Sequence, residues 1–209
     1  MSGINKAISV GLKGKGPQLS IPSFYVVGIG LSIGGIDPLC QILSCLPAQA
    51  NAAFLIVQHL DPAHRSLLSE RLQKVTSLKV RVATHKQLIE NHMIYVLAEG
   101  QMMTIEGGLI ILRERKHDET VNKAVDILFE SMAFNLGSRA VSVILSGLDG
   151  DGSLGAEQVN LKGGITVAQL PASAKYPSMP ESALSTGQTH FILSPVKIAE
   201  LLTEIIKAK

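Results

Sequence analysis

The sequence predicts an α/β domain with a doubly wound, mostly parallel sheet, helices on both faces and a small antiparallel hairpin insertion. Apolar runs of strand length alternate with segments of helical periodicity, which is the order that βαβ units produce. Several of these runs are continuously apolar, as expected of strands that are covered on both faces. The chain has 209 residues, 46% of them hydrophobic, which is enough for one sizeable core.

The first part of the domain is organised around FYVVGIGLSIGG, which spans Phe24–Gly35. Its apolar residues predict a strand, and its glycines predict a tight turn that leads into a helix. The elements predicted here are a strand at Phe24–Gly30, a helix from Gly35 to Leu46, a strand at Ala52–Gln58, a turn at Leu60–Pro62, a helix at Ser66–Val75 and a strand at Leu78–Ala83.

The middle of the chain contains three short apolar runs separated by glycine-containing dipeptides. This pattern predicts an antiparallel hairpin or meander appended to the parallel core. The three runs are Met93–Ala98, Met102–Glu106 and Leu109–Arg113, and the charged stretch that follows, Arg113–Thr120, predicts a loop.

The last part of the chain returns to alternating helices and strands. Apolar residues at helical spacing predict a helix at Asn122–Leu136, which Gly137 ends. The elements after it are a strand at Ala140–Leu145, a helix at Ser153–Leu161, a strand at Gly164–Ala168, a helix at Pro180–Thr186, a strand at Phe191–Leu193 and a final helix, which Ser194 caps and Pro195 begins.

Composition excludes several classes of protein. The formal net charge is +2 and no basic run carries interleaved aromatic residues, so nucleic acid is not an expected partner. Cys40 and Cys45 have the spacing of neither a disulfide nor a zinc site, and we interpret them as small buried residues in a reducing compartment. Residues 1–21 suit a flexible leader or linker stub ahead of a domain at 22–209. The start of the chain is too short and too interrupted for a signal peptide or a membrane span, so we expect no membrane insertion and a cytoplasmic location.

Polar side chains capable of catalysis follow three of the predicted strands. Ser32 follows the first and His59 the second, and Asp149 and Asp151 follow the strand at Ala140–Leu145. The carboxyl ends of parallel strands share one edge of the sheet, where ligands bind. A serine, a histidine and an aspartate at that edge predict nucleophilic acyl transfer, with Ser32 as nucleophile and His59 as general base. The activity, kcat/KM, is then expected to rise as His59 deprotonates near its ordinary pKa of about 6.5.

Alternatives exist for several of these residues. Spacing does not decide between Asp149 and Asp151, and His64 is a rival base. A dinucleotide loop at Gly28–Gly35 would need glycine where Ile33 stands. A calcium loop at the second glycine-rich turn would need glycine and glutamate at two positions that hold leucine and asparagine. The backbone N–H groups of Ile33 and Leu148 are candidate oxyanion donors.

The chain resembles the catalytic domain of the chemotaxis protein-glutamate methylesterase family, the CheB-type domain. Six matching segments follow one another in the family's order and span almost the whole chain after residue 23. They are GLSIGG (Gly30–Gly35), VQHLDP (Val57–Pro62), AVDILFESMA (Ala124–Ala133), VILSGLDGDGSLG (Val143–Gly155), GGITVAQ (Gly163–Gln169) and YPSMPESAL (Tyr176–Leu184).

The resemblance implies a Ser-His-Asp triad in that chain order. Its members are the serine of the first glycine loop, Ser32, the histidine of VQH, His59, and the last acidic residue of the glycine turn, Asp151 rather than Asp149. It also implies hydrolysis of glutamate γ-methyl esters on the cytoplasmic helices of chemoreceptors, with release of methanol. Deamidation of receptor glutamines is a further activity of members. We expect neither a metal nor a cofactor.

Three features depart from the family pattern. Leu31 and Ile33 flank the serine where smaller residues are usual, and Asn122-Lys123 stands in place of an Arg-Pro pair. Typical members also carry a receiver domain, for which 209 residues leave no room. We therefore expect either a fragment or a stand-alone enzyme controlled by a separate regulatory protein. The alternative function, suggested by Leu31 and Ile33, is a non-catalytic relative that binds receptors or another signalling protein.

Overall fold

The computed structural model describes residues 21–59, 66–116, 119 and 121–207. All but the last residue of the predicted leader, the predicted turn at Leu60–Pro62 and the rival base His64 lie outside the described residues. The described strands are β1 (Tyr25–Leu31), β2 (Ala52–Gln58), β3 (Lys79–Val82), β4 (Gln87–Leu88), β5 (Met93–Val96), β6 (Gln101–Glu106), β7 (Leu109–Glu114), β8 (Ala140–Ile144), β9 (Ile165–Gln169) and β10 (Phe191–Leu193). The described helices are α1 (Ile36–Ser44), α2 (Leu68–Gln73), α3 (Ala124–Leu136), α4 (Ser153–Leu161), α5 (Ser178–Ser185) and α6 (Pro195–Lys207).

The main sheet has seven strands in the order β10-β9-β8-β1-β2-β5-β3, and every neighbouring pair is parallel. This confirms the predicted fold class. The chain builds outward from β1 to β2 on one side and later returns to place β8 on the other. Strand β1 therefore lies at the point where the strand order reverses, and in sheets of this kind a crevice opens there at the carboxyl ends.

A second, three-stranded antiparallel sheet has the order β4-β7-β6. Its β6–β7 hairpin confirms the predicted insertion, to which the two-residue β4 is added. The assignment of Met93–Ala98 to the hairpin or meander was wrong, because β5 pairs in parallel between β2 and β3. All four residues of β5 are buried, as in a strand covered on both faces. Its shortness and the glycines that follow it made it resemble the hairpin strands.

Apolar side chains cover both faces of the main sheet. On one face, residues of α3, α4, α5 and the hairpin form a continuous buried cluster that includes Phe129 and Met132. On the other, α1, α2 and α6 contribute a second cluster that includes Leu39 and Leu202. This two-sided burial explains why β1, β2 and β8 consist of nearly continuous apolar residues.

Two glycines within β1 allow α3 to lie directly on the sheet. A Cβ atom at Gly30 would stand 2.3 Å from Cγ1 of Val125, and one at Gly28 would stand 2.6 Å from Sδ of Met132. The Gly28 and Gly30 spacing, which resembles part of a dinucleotide loop, is thus explained by the close packing of α3 on β1.

Gly30→Ala is expected to destabilise the protein by about 1–3 kcal/mol, because the added methyl group overpacks the contact with Val125. Urea unfolding of Gly30→Ala, Val125→Ala and the double variant measures the effect. The cost of Gly30→Ala should be smaller in the Val125→Ala background, where the clashing γ-carbons are absent. Equal costs in both backgrounds would contradict this explanation.

The two cysteines are free thiols. The prediction that both are buried was wrong, because Cys45 is exposed immediately after α1 ends and Cys40 is half-buried. None of the helices in the described part of the chain has the length and apolar character that a membrane crossing requires.

Candidate active site

The ends of three adjacent strands position the candidate catalytic residues. Ser32 directly follows β1, His59 directly follows β2, and Asp149 and Asp151 lie in the turn between β8 and α4. Strand β1 pairs with both β2 and β8, so the three strand ends are neighbours at one edge. The backbone N–H of His59 donates to Leu31 O at 3.0 Å, which continues the β1–β2 ladder up to the site.

His59 lies between two carboxylates. Its Nε2 is 2.6 Å from Oδ2 of Asp151, and its Nδ1 is 2.9 Å from Oδ2 of Asp149. The His59 side chain is only 9% exposed and that of Asp151 only 2%, so the contact between these two is largely shielded from water. Spacing had left Asp149 and Asp151 as rivals, and the structure brings both of them to the same imidazole.

The two carboxylates raise the pKa of His59. Burial lowers this pKa, but hydrogen bonds and charge attraction from Asp149 and Asp151 outweigh burial and raise it to about 9. The ordinary value of about 6.5 that the sequence suggested is therefore wrong for this arrangement. A carboxylate oxygen within hydrogen-bond distance of each ring nitrogen favours the imidazolium, the form that can donate from both.

Asp151 lies two residues before α4 and accepts hydrogen bonds from the start of α3, whereas Asp126 lies in the first turn of α3 and accepts hydrogen bonds from the start of α4. The Asp151 carboxylate accepts the N–H groups of Val125 and Asp126, both at 2.9 Å, in the first turn of α3. Oδ1 of Asp126 accepts the N–H groups of Gly152 at 3.0 Å and Gly155 at 2.8 Å, at the start of α4. Helix N-termini favour such carboxylates, because their first N–H groups have no partner within the helix.

Asp151 is held firmly, because its carboxylate accepts two backbone N–H groups and its side chain is only 2% exposed. Burial and the neighbouring Asp151 charge raise the pKa of Asp126 to about 6, although the Gly155 and Gly152 N–H groups oppose the shift. Sequence reasoning did not predict this exchange, for which the position of Asp126 in the first turn of α3 was the available signal.

Ser146, which sequence reasoning missed, ties the turn around Ser32 to the end of β8. Its carbonyl accepts the Ser32 N–H at 3.0 Å, and its buried hydroxyl donates to Ile33 O at 3.0 Å. The same hydroxyl accepts the Tyr176 N–H at 3.0 Å, and Gln169 accepts the Ser146 N–H at 3.0 Å. These bonds hold the Ser32 backbone in place without using its side chain.

The candidate oxyanion donors flank this turn. Ile33 follows Ser32, and Leu148 lies in the glycine-rich turn after β8; their side chains are 49% and 60% exposed. Neither backbone N–H donates a hydrogen bond to any described residue. Both are therefore available to a ligand as far as the described residues are concerned. Within residues 21–59, 66–116, 119 and 121–207, no group of three or more His, Cys, Asp or Glu side chains is arranged to hold a metal ion.

The raised pKa of His59 predicts how stability depends on pH. A cationic group whose pKa is raised on folding stabilises the protein fully below its unfolded-state pKa, about 6.5, and this contribution is lost as the pH rises through about 9. The loss is at most about 3.4 kcal/mol, at 1.36 kcal/mol for each of about 2.5 pKa units. Urea unfolding of the wild type and His59→Gln measures it, since other titrations cancel in the difference. A difference that stays constant from pH 6 to pH 10 would contradict the prediction.

Comparison with known proteins identifies the family. The sequence model of the CheB methylesterase family matches residues 27–202. The chain belongs to the CheB methylesterase family. The crystal structure of the Thermotoga maritima CheB methylesterase catalytic domain superposes with a TM-score of 0.80 at 29% identity, covering 88% of this chain and all of that one.

Two relatives of this CheB-type chain differ in how much of their own length it covers. Protein-glutamate methylesterase/protein-glutamine glutaminase 3 of Hahella chejuensis is 33% identical over 181 residues, which cover 86% of this chain and 52% of the relative. A putative protein of the same description from Leptospira interrogans is 31% identical over 186 residues, which cover 88% of this chain and 95% of the relative. The chain thus spans about half the length of the first relative and nearly all of the second.

Proposed function

We propose that this chain is a protein-glutamate methylesterase with protein-glutamine glutaminase activity, and that Ser32, His59 and Asp151 form its catalytic triad. The observation that carries the proposal is the placement of these three residues at the ends of adjacent parallel strands in a CheB-family chain. The names of the relatives from Hahella chejuensis and Leptospira interrogans support the same reaction.

In the proposed reaction, Ser32 Oγ attacks the γ-carbonyl carbon of a glutamate methyl ester. Neutral His59 accepts the hydroxyl proton, and Asp151 orients the ring and stabilises the imidazolium that forms. The N–H groups of Ile33 and Leu148 donate to the oxyanion. His59 then returns the proton to the leaving methoxide, which departs as methanol. Water, deprotonated by His59, attacks the glutamyl ester on Ser32; the bond to Oγ breaks, His59 returns the proton to Oγ, and the glutamate carboxylate is released.

The proposed substrate is a methylated helix of a chemoreceptor's cytoplasmic region. Ile33 and Leu148 expose apolar side chains beside Ser32 and can contact the apolar part of such a helix. The proposal places the catalytic domain at residues 22–209 and the protein in the cytoplasm.

Methanol release from a methyl-esterified chemoreceptor fragment tests the reaction, and labelling by a serine-directed phosphonate tests the nucleophile. We expect methanol in proportion to the esters lost, and a single label that mass spectrometry places on the peptide containing Ser32. Labelling without methanol would indicate an esterase for another ester. The absence of both would favour the non-catalytic binding module.

A further inference from the structure

Asp149 occupies the ring nitrogen that His59 would need for catalysis. With Nε2 bonded to Asp151, Nδ1 is the only ring nitrogen left to accept a proton, and Asp149 contacts it at 2.9 Å. A ring that donates from both nitrogens to carboxylates carries two protons and has no lone pair available. His59 therefore cannot accept the Ser32 proton in this arrangement.

The two carboxylates differ in how firmly they are held. Asp151 is buried and also accepts two backbone N–H groups from α3. The Asp149 side chain is 48% exposed, and its other described hydrogen bonds come from backbone N–H groups of its own turn, those of Asp151 at 3.2 Å and of Asp149 itself. Asp149 is therefore the partner that can leave, while Asp151 stays.

We propose that Asp149 is a positioning residue that holds His59 in a resting state, and that it must withdraw from Nδ1 before Ser32 can be activated. This inference rests on the proposed function. When Asp149 moves into solvent, the Nδ1 proton passes to water and leaves a neutral ring whose Nε2–H still donates to Asp151. Nδ1 then accepts the Ser32 proton as Oγ attacks the ester.

The charges around His59 make this proposal specific to Asp149. Among the described residues, the charged groups that act on the His59 ring are Asp149 and Asp151, both from the turn after β8. Helix α3 contributes Asp126 behind Asp151, and Lys123 acts on Asp126. Residues 60–65, which include Asp61, His64 and Arg65, lie outside the described residues.

The experiment compares wild type with Asp149→Asn, which keeps the shape of the side chain and removes its charge. Asp37→Asn is the matched control, because Asp37 is an exposed carboxylate paired with Arg71 in α2. Two quantities are measured from pH 5 to pH 10: kcat/KM for the methyl ester, and the chemical shift of the His59 ring, assigned by its loss in His59→Gln.

We expect Asp149→Asn to lower the His59 titration midpoint by at least one pH unit and to move the acid limb of kcat/KM by the same amount. Below the midpoint, each unit changes the neutral fraction about tenfold, so kcat/KM at pH 7 should rise at least about tenfold. The profiles of the two proteins should converge at high pH, and Asp37→Asn should match wild type throughout.

Two results would overturn the proposal. One is an unchanged His59 midpoint in Asp149→Asn. The other is a fall of kcat/KM at every pH, which would make Asp149 the orienting carboxylate in place of Asp151. If neither protein hydrolysed the ester, the proposed function would fail, but the ring titration would still decide whether Asp149 holds the proton on His59.

Discussion

Ser32→Ala is expected to lower the rate of methanol release from a methyl-esterified receptor fragment by at least about 10³-fold. Removing the hydroxyl removes the nucleophile, and serine hydrolases that lose theirs keep only what substrate binding and the oxyanion donors provide. The structure predicts a folded variant, because the contact that anchors Ser32 is its backbone N–H to Ser146 O, which alanine retains. Stability should change by less than about 1 kcal/mol, as is usual away from buried contacts.

The control for this variant is Ser185→Ala, which removes the hydroxyl of an exposed serine at the end of α5 that donates to Glu181 O. We expect Ser185→Ala to release methanol at the wild-type rate and to keep the full phosphonate label. Both variants should unfold at nearly the urea concentration of wild type. Turnover of Ser32→Ala within a few-fold of wild type would eliminate Ser32 as the nucleophile.

Asp151→Asn is expected to lower kcat by about 10⁴-fold, the loss seen when the orienting carboxylate of a serine hydrolase becomes an amide. Oδ2 of Asp151 receives both the His59 Nε2–H and the Val125 N–H, and Oδ1 receives the Asp126 N–H. An amide has one acceptor oxygen, so its NH₂ group must face at least one of these donors. The ring then loses the partner that fixes its tautomer and orientation.

The same substitution should lower the free energy of unfolding by about 1–3 kcal/mol, because a buried donor at the start of α3 loses its acceptor. Kinetics and urea unfolding on one preparation separate the two effects. Asp37→Asn removes a surface carboxylate whose ion pair contributes at most about 1 kcal/mol, and it should leave activity intact. Wild-type kcat in Asp151→Asn would exclude Asp151 from the triad.

The sequence by itself determined the architecture and the positions of the candidate triad. Alternating apolar runs predict a parallel sheet, and the carboxyl ends of parallel strands must lie at one edge. Ser32, His59 and the two aspartates follow such strands, so their placement at one edge of the sheet could be expected from position alone. These predictions succeed because periodicity and strand direction are properties of a local stretch of chain.

Only the tertiary structure decided the contacts that depend on distances across the fold. Strand β5 belongs to the main sheet, where it pairs with β2 and is buried on both faces, and this burial depends on neighbours that are distant in the sequence. Gly30 is explained by the approach of Val125, which lies far along the chain. The binding of Asp149 to His59, and the exchange between Asp126 and Asp151, depend on ångström-scale placement of side chains from different loops. Spacing along a sequence predicts which residues share an edge of the sheet. The protonation of His59 depends instead on the atoms that contact its ring, the carboxylate oxygens of Asp149 and Asp151.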